Sequence, residues 1–169
     1  MCIRTDKVEF SEEIVMERTE KVELTALCLI YKDDKFLLQD RVKNDWKGFT
    51  LPGGHIEIGE SIVDAIIREM KEETGLTVVN PKLCGVKQFP IKDGKYENGR
   101  YLVFLFKANE FYGDIVSSEE GSMHWISREE LGQVNLVSDF NELLNVMLDD
   151  HLSEFQYVVE NDEWKIIKR

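Results

Sequence analysis

Glu60, Arg68, Glu69, Glu72 and Glu73 are the residues of this chain whose types and spacing could do chemistry. On a helical wheel at about 100° per residue, Glu69, Glu72 and Glu73 fall together on one arc. They border an apolar stripe of Ile62, Val63, Ala65, Ile66, Ile67 and Met70. Acids this close repel one another and have their pKa values raised, unless a multivalent cation or an arginine shares the site. Oxygen donors without Cys or His suit a hard ion, Mg²⁺ or Mn²⁺, rather than zinc. A solvated acidic helix face is the plain alternative. It does not account for Arg68 among the acids, for their place beside the apolar stripe, or for the Gly53-Gly54 pair just upstream.

Local signals position these side chains. Ser61 can cap the N–H of Asp64 in an S-x-x-D box, and Gly75 suits the left-handed position that ends a helix. Upstream, Pro52 fixes φ while Gly53 and Gly54 allow backbone to approach a metal or phosphate closely. Before that loop, VELTALCLIY reads as a buried strand from Val22 to Tyr31, joined through Lys32-Asp33-Asp34-Lys35 to KFLLQDR in a hairpin. After the helix, TVV, PKLCGVKQFPI, NGRYLVFLFKANEF and SMHWIS read as strands. REELG is a brief helix or turn, and DFNELLNVMLDDH is a helix with Phe140, Leu143, Leu144, Met147 and Leu148 at helical spacing. The expected fold is α/β, a mixed β-sheet sandwiched between two helices. FQYVVENDEWKIIKR adds a C-terminal hairpin around Asn161-Asp162, which either covers one end of the domain or makes a homodimer contact. Residues 1–21 are either an edge strand or an arm.

With 169 residues and 43% hydrophobic content, the chain fits one domain with a sizeable core. A formal charge of −12 disfavours nucleic acid and anionic membranes as partners, since both attract basic patches. An anionic substrate must then be met locally, by metal ions and a few arginines. Cys2, Cys28 and Cys84 are odd in number and form no C-x-x-C pair, so they read as reduced thiols of a cytoplasmic protein. The N-terminal residues lack an apolar targeting segment, and no apolar run reaches membrane-spanning length.

The spacing Gly54-x5-Glu60-x7-Arg68-Glu69-Met70-x-Glu72-Glu73-x-Gly75-Leu76 resembles the Nudix box of the Nudix hydrolases at every position. Fixed residues at average usages give a chance match on the order of one in ten million. The resemblance implies an α/β/α sandwich with a core over about residues 22–148, the whole chain forming a single domain. It also implies Mg²⁺- or Mn²⁺-dependent hydrolysis of a nucleoside diphosphate linked to another group. By the same resemblance, Glu69, Glu72, Glu73 and the Gly53 carbonyl are metal ligands, one of the acids serving as base. Arg68 orients the carboxylates, and Glu60 assists the metal or the loop.

Outside the box, Glu120 in SSEEGSMHW resembles an acid that MutT-like enzymes use as metal ligand or base, and fits better than Glu119. Arg41 resembles a phosphate-binding arginine. Trp46, Phe49 and Phe89 could stack on a purine, and Asp139 lies about where MutT-like enzymes place a purine-reading residue. His55, His124 and His151 show no metal-ligand spacing. The expected substrate is a small nucleotide, first a (deoxy)nucleoside triphosphate such as oxidised dGTP. ADP-ribose or an ADP-sugar is the alternative within the same chemistry, Pro90 downstream of the box being its one hint. A Nudix-fold module that senses a nucleotide without cleaving it is the alternative from another class.

Overall fold

A computed structural model describes residues 19–42 and 47–169 of the chain. Strands β1 (Val22–Lys32), β2 (Lys35–Arg41), β3 (Gly48–Thr50) and β4 (Gly53–His55) precede helix α1 (Ile62–Thr74). Then come β5 (Thr77–Val79), β6 (Lys82–Pro90), β7 (Arg100–Ala108), β8 (Glu110–Tyr112) and β9 (Gly121–Ser127). Helix α2 (Phe140–Leu148) and the hairpin β10 (Glu154–Glu160) with β11 (Glu163–Lys168) complete the order, and REELG forms part of a 3₁₀ turn at Glu130–Gln133.

The main sheet runs β11-β10-β6-β7-β1-β2-β3, with β4 on β1 and β9 on β2. It is mixed, as expected. β1 lies parallel to β7 and β10 parallel to β6, while β6 and β7 are antiparallel. Near-continuous apolar runs such as VELTALCLIY arise because a sheet covered on both faces buries both sets of alternating side chains. Ala26, Cys28 and Ile30 join Ile66 and Met70 of α1 in one core, and Leu29 joins Phe140, Leu143 and Met147 of α2 in the other. Strand β7 divides likewise, with Phe106 and Ala108 on the α1 side and Val103 and Leu105 on the α2 side.

Two expectations change in detail. The β1–β2 hairpin is paired only at its tip, Tyr31 with Phe36 and Lys32 with Lys35, while β1 runs beside β7 and β2 beside β9. Val63, placed in the apolar stripe from spacing, is 44% exposed, because the buried face of α1 is centred on Ala65, Ile66, Met70 and Thr74. Cys28 is buried and Cys84 half-buried, both as free thiols, and burial pushes the Cys84 thiol up to about 11. Cys2, Trp46 and nearly all of the N-terminal segment lie outside the described residues.

The terminal hairpin belongs to the sheet and its core. β10 pairs Phe155 with Lys87 of β6, and Phe155 is fully buried against the α2-side core. Trp164 of β11 packs edge-on to Tyr157 and stays 52% exposed. Phe155→Ala should therefore cost about 3–5 kcal/mol of unfolding free energy. Trp164→Ala should cost under about 1 kcal/mol. Urea denaturation reads both, and equal small losses would mean that the hairpin is an appendage rather than part of the core.

Candidate functional site

Helix α1 begins and ends as its sequence directs. Ser61 Oγ accepts from the Asp64 N–H at 3.5 Å, and Gly75 sits at φ 78° with its N–H on the Lys71 carbonyl. A Cβ at Gly75 would lie 2.3 Å from the Asp114 carbonyl oxygen, so both conformation and space require glycine there.

Arg68 is the hub of the acidic edge. Its Nε and Nη2 donate to the two oxygens of Glu60, each at 2.9 Å, in a bidentate fork. Nη1 donates to Glu69 at 2.7 Å and more weakly to Glu72 at 3.4 Å, while Nη2 also reaches the His55 carbonyl at 3.0 Å. Glu60 in turn accepts from the Glu57 N–H at 3.0 Å, which closes the loop before the helix. The Arg68 fork, aided by the Glu57 N–H, holds the Glu60 carboxyl down at about 2. Of the two roles expected for Glu60, loop geometry is the one that these contacts describe.

The paired glycines make room for specific protein atoms. A Cβ at Gly53 would lie 2.1 Å from the Ala26 carbonyl oxygen of β1, and one at Gly54 would lie 2.3 Å from Oε2 of Glu69. The space that a side chain would take at these two positions is filled by the sheet and by a carboxylate of the cluster. Glu73 accepts from Gln39 Nε2 of β2. The Glu69 side chain is only 12% exposed and that of Glu72 is 60% exposed, so the three acids divide into two facing inward and one at the rim.

These groups line one side of a cavity of about 730 Å³. Gly53, Gly54, Glu69 and Glu73 meet Arg41 and Glu120 there, and Glu119 is exposed outside it. Arg41 and Glu120 are brought close by pairing of β2 with β9, which sets Arg41 opposite Gly121. The Arg41 Nε is buried with no hydrogen-bond partner among the described residues, a donor suited to an anion. Glu69, Glu73 and Glu120 offer only oxygen, a donor set that fits a hard divalent cation. As they stand, no three acidic, histidine or cysteine side chains among the described residues are gathered closely enough to hold a metal ion. Arg68 and Gln39 hold the first two acids.

The opposite wall is sheet. Phe89 and Tyr101 are cross-strand partners whose rings stack 4.8 Å apart at 13°, and His55 meets Tyr101 edge-on at 6.5 Å. Lys87 and Val103, also opposite one another, continue this wall. Asp139 does not reach it. Only 2% exposed, its carboxylate pairs with Lys87 Nζ and accepts from Tyr157 Oη at 3.0 Å, leaving the start of α2 without a side-chain cap. Lys87, Tyr101 and Gln39 are site residues that sequence reading missed. The lysine of GVKQFP, charged yet on the same strand face as Phe89, was the available signal. Phe49 and His124 pack edge-on at 5.6 Å, outside the cavity lining, and His151 is exposed.

Known proteins share this sequence and architecture. Residues 21–147 match the NUDIX domain. An uncharacterised Nudix hydrolase, YvcI, of Bacillus subtilis is 37% identical over 122 residues, covering 72% of this chain and 76% of that protein. An ADP-ribose pyrophosphatase of Methanocaldococcus jannaschii is 38% identical over 93 residues, 54% of this chain and 53% of its own length. The crystal structure of a mutator MutT protein from Bacillus halodurans superposes with a TM-score of 0.72 at 29% identity, covering 86% of this chain and 97% of that one. No helix among the described residues is long and apolar enough to cross a membrane.

The fork makes a titration prediction. Its folded pKa being depressed, Glu60 contributes stability that is fully present above its unfolded value of about 4.3 and is lost as pH falls through about 2. Carboxyl NMR of Arg68→Ala should show the Glu60 midpoint returning toward about 4.3. A midpoint that stays near 2 in this variant would show that the fork is not its cause.

Proposed function

The chain is a member of the Nudix hydrolase family, pyrophosphohydrolases that act on phosphoanhydride bonds, and from that premise we propose that its substrate is a (deoxy)nucleoside triphosphate such as oxidised dGTP. The products are a nucleoside monophosphate and pyrophosphate. The observation that carries this reading is one cavity with oxygen-only donors and a lone arginine donor on one side and stacked aromatic rings on the other.

Family members generally use divalent metal ions. Here Mg²⁺, or Mn²⁺ in its place, is proposed to be held by Glu69, Glu73, Glu120 and the Gly53 carbonyl, with Glu72 at the rim. When bound, such an ion lowers the pKa of water and neutralises phosphate oxygens. The protein's own groups do the remaining work. Arg41 directs its unused Nε toward a phosphate oxygen, Arg68 and Gln39 orient Glu69 and Glu73, and Glu73 or Glu120 takes a proton from the attacking water. Phe89 and Tyr101 form an aromatic wall for the base.

The MutT structure supports the triphosphate reading through its near-complete coverage. The archaeal ADP-ribose pyrophosphatase supports the second reading, hydrolysis of ADP-ribose, over about half its own length. A panel of oxidised dGTP, ordinary dNTPs, ADP-ribose, a dinucleoside polyphosphate and triphosphorylated RNA separates them, each with Mg²⁺ and product analysis. Monophosphate and pyrophosphate from a triphosphate support the proposal. Exclusive cleavage of ADP-ribose overturns the substrate choice, and nucleotide binding without product from any substrate supports a sensing module instead.

Two further outcomes follow from the same site. Chelation with EDTA should abolish turnover, and added Mg²⁺ should restore it. Glu73→Gln keeps an oxygen that can accept from Gln39, so the variant should fold normally and lose at least about a hundredfold in kcat with little change in KM. Near-normal turnover would remove Glu73 from the reaction.

A further inference from the structure

The sheet wall of the cavity contains a buried ion pair that the proposed hydrolysis does not use. Phe155, Lys87, Val103, Thr25 and His55 form one transverse row across β10, β6, β7, β1 and β4. Lys87 stands within this row, and its side chain is 3% exposed yet lines the cavity. Its Nζ lies 5.6 Å from the Phe89 ring centre, 5.2 Å from Phe155 and 5.6 Å from Tyr157. Asp139, itself steadied by the Tyr157 hydroxyl, holds the ammonium from behind.

The chemistry of this group narrows what it can meet. An ammonium carries only donors. Its charge is matched by Asp139, so a phosphate drawn to it would bring uncompensated negative charge beside a buried carboxylate. Burial itself holds the Lys87 pKa below its ordinary value, with Asp139 opposing the shift. Arg41, at the acidic side, is the donor suited to phosphate. Lys87 instead sits in a charge-balanced, aromatic surrounding next to the Phe89–Tyr101 stack, where a neutral ring carbonyl is the matching acceptor. A 6-oxopurine presents that carbonyl, whereas a 6-aminopurine presents a donor at the same position.

We propose that Lys87 is a specificity-determining residue that donates a hydrogen bond to the ring carbonyl of a 6-oxopurine nucleotide, with Asp139 and Tyr157 as its positioning residues. This rests on the reading of the cavity as a nucleotide site, and it makes Asp139 act on the base through Lys87 rather than by contact.

The test is binding without hydrolysis. Calorimetric titration in the absence of Mg²⁺ uses GMP and 2-aminopurine riboside monophosphate, which keeps the 2-amino group and lacks the 6-oxygen. The wild-type chain should bind GMP at least about tenfold more tightly than the analogue, as loss of a hydrogen bond to a charged group implies. Lys87→Met should bring the two within about twofold. Because this variant leaves Asp139 buried and without its ion-pair partner, Lys87→Met with Asp139→Asn provides the same test in a neutral pair, the amide oxygen still accepting from Tyr157. No GMP preference in the wild type, no measurable GMP binding, or a preference that survives in both variants overturns the proposal. Failure of the triphosphate panel with the GMP preference intact would instead count against the proposed reaction alone.

Discussion

The bidentate bond between Arg68 and Glu60, extended by the same guanidinium to Glu69, is the interaction on which the site depends. It ties the loop before α1 to the helix, and through the His55 carbonyl it ties β4 to both. Burying carboxylates near one another is costly unless opposite charge is at hand. Arg68 supplies it from within the helix, one residue from Glu69 and four from Glu72. The tightness of this arrangement explains Gly54, since a side chain there would occupy the space of the Glu69 carboxylate. It also shows why a Lys could not replace Arg68 without loss, because only the planar fork meets both Glu60 oxygens while reaching three further acceptors.

The sheet gives the cavity its second character. Parallel addition of β7 to β1, and of β10 to β6, lines up side chains from distant parts of the chain in single rows. One side is therefore acidic and set largely by local contacts around α1. The other is aromatic and charge-balanced, and depends on residues about fifty positions apart, such as Lys87 and Asp139. Phe155 and Tyr157 lie behind that second side, so the C-terminal hairpin helps to build the wall where a base would rest.

What could be read from sequence follows the same division. The helix, its caps and its acidic edge were legible because each depends on residues a few positions apart: Ser61 with Asp64, Gly75 with Lys71, Arg68 with Glu69 and Glu72. Strands were legible from alternation, with TVV and KFLLQDR matching β5 and β2 residue for residue. Pairing was not, since β1 meets its hairpin partner only at the tip and pairs along its length with β7, a strand far along the chain. Val63 was misplaced because hydropathy cannot tell which apolar residue of a wide stripe turns away from the sheet. Asp139 stands at the start of α2, near a position expected to read a purine, but its burial behind Lys87 depends on where α2 sets it against Lys87 of β6 and Tyr157 of β10, which no local pattern encodes.

Whether the Arg68-organised edge of the cavity is where a divalent cation binds can be measured directly. Substoichiometric Mn²⁺ added to the isotopically labelled chain broadens NMR signals paramagnetically, and the broadening falls steeply with distance from the ion. The predicted result is broadening centred on Gly53, Gly54, Glu69, Glu73 and Glu120, suppressed by excess Mg²⁺. Broadening centred on another acidic region, such as Asp149 and Asp150 beyond α2, with the Arg68 edge unaffected, would contradict it.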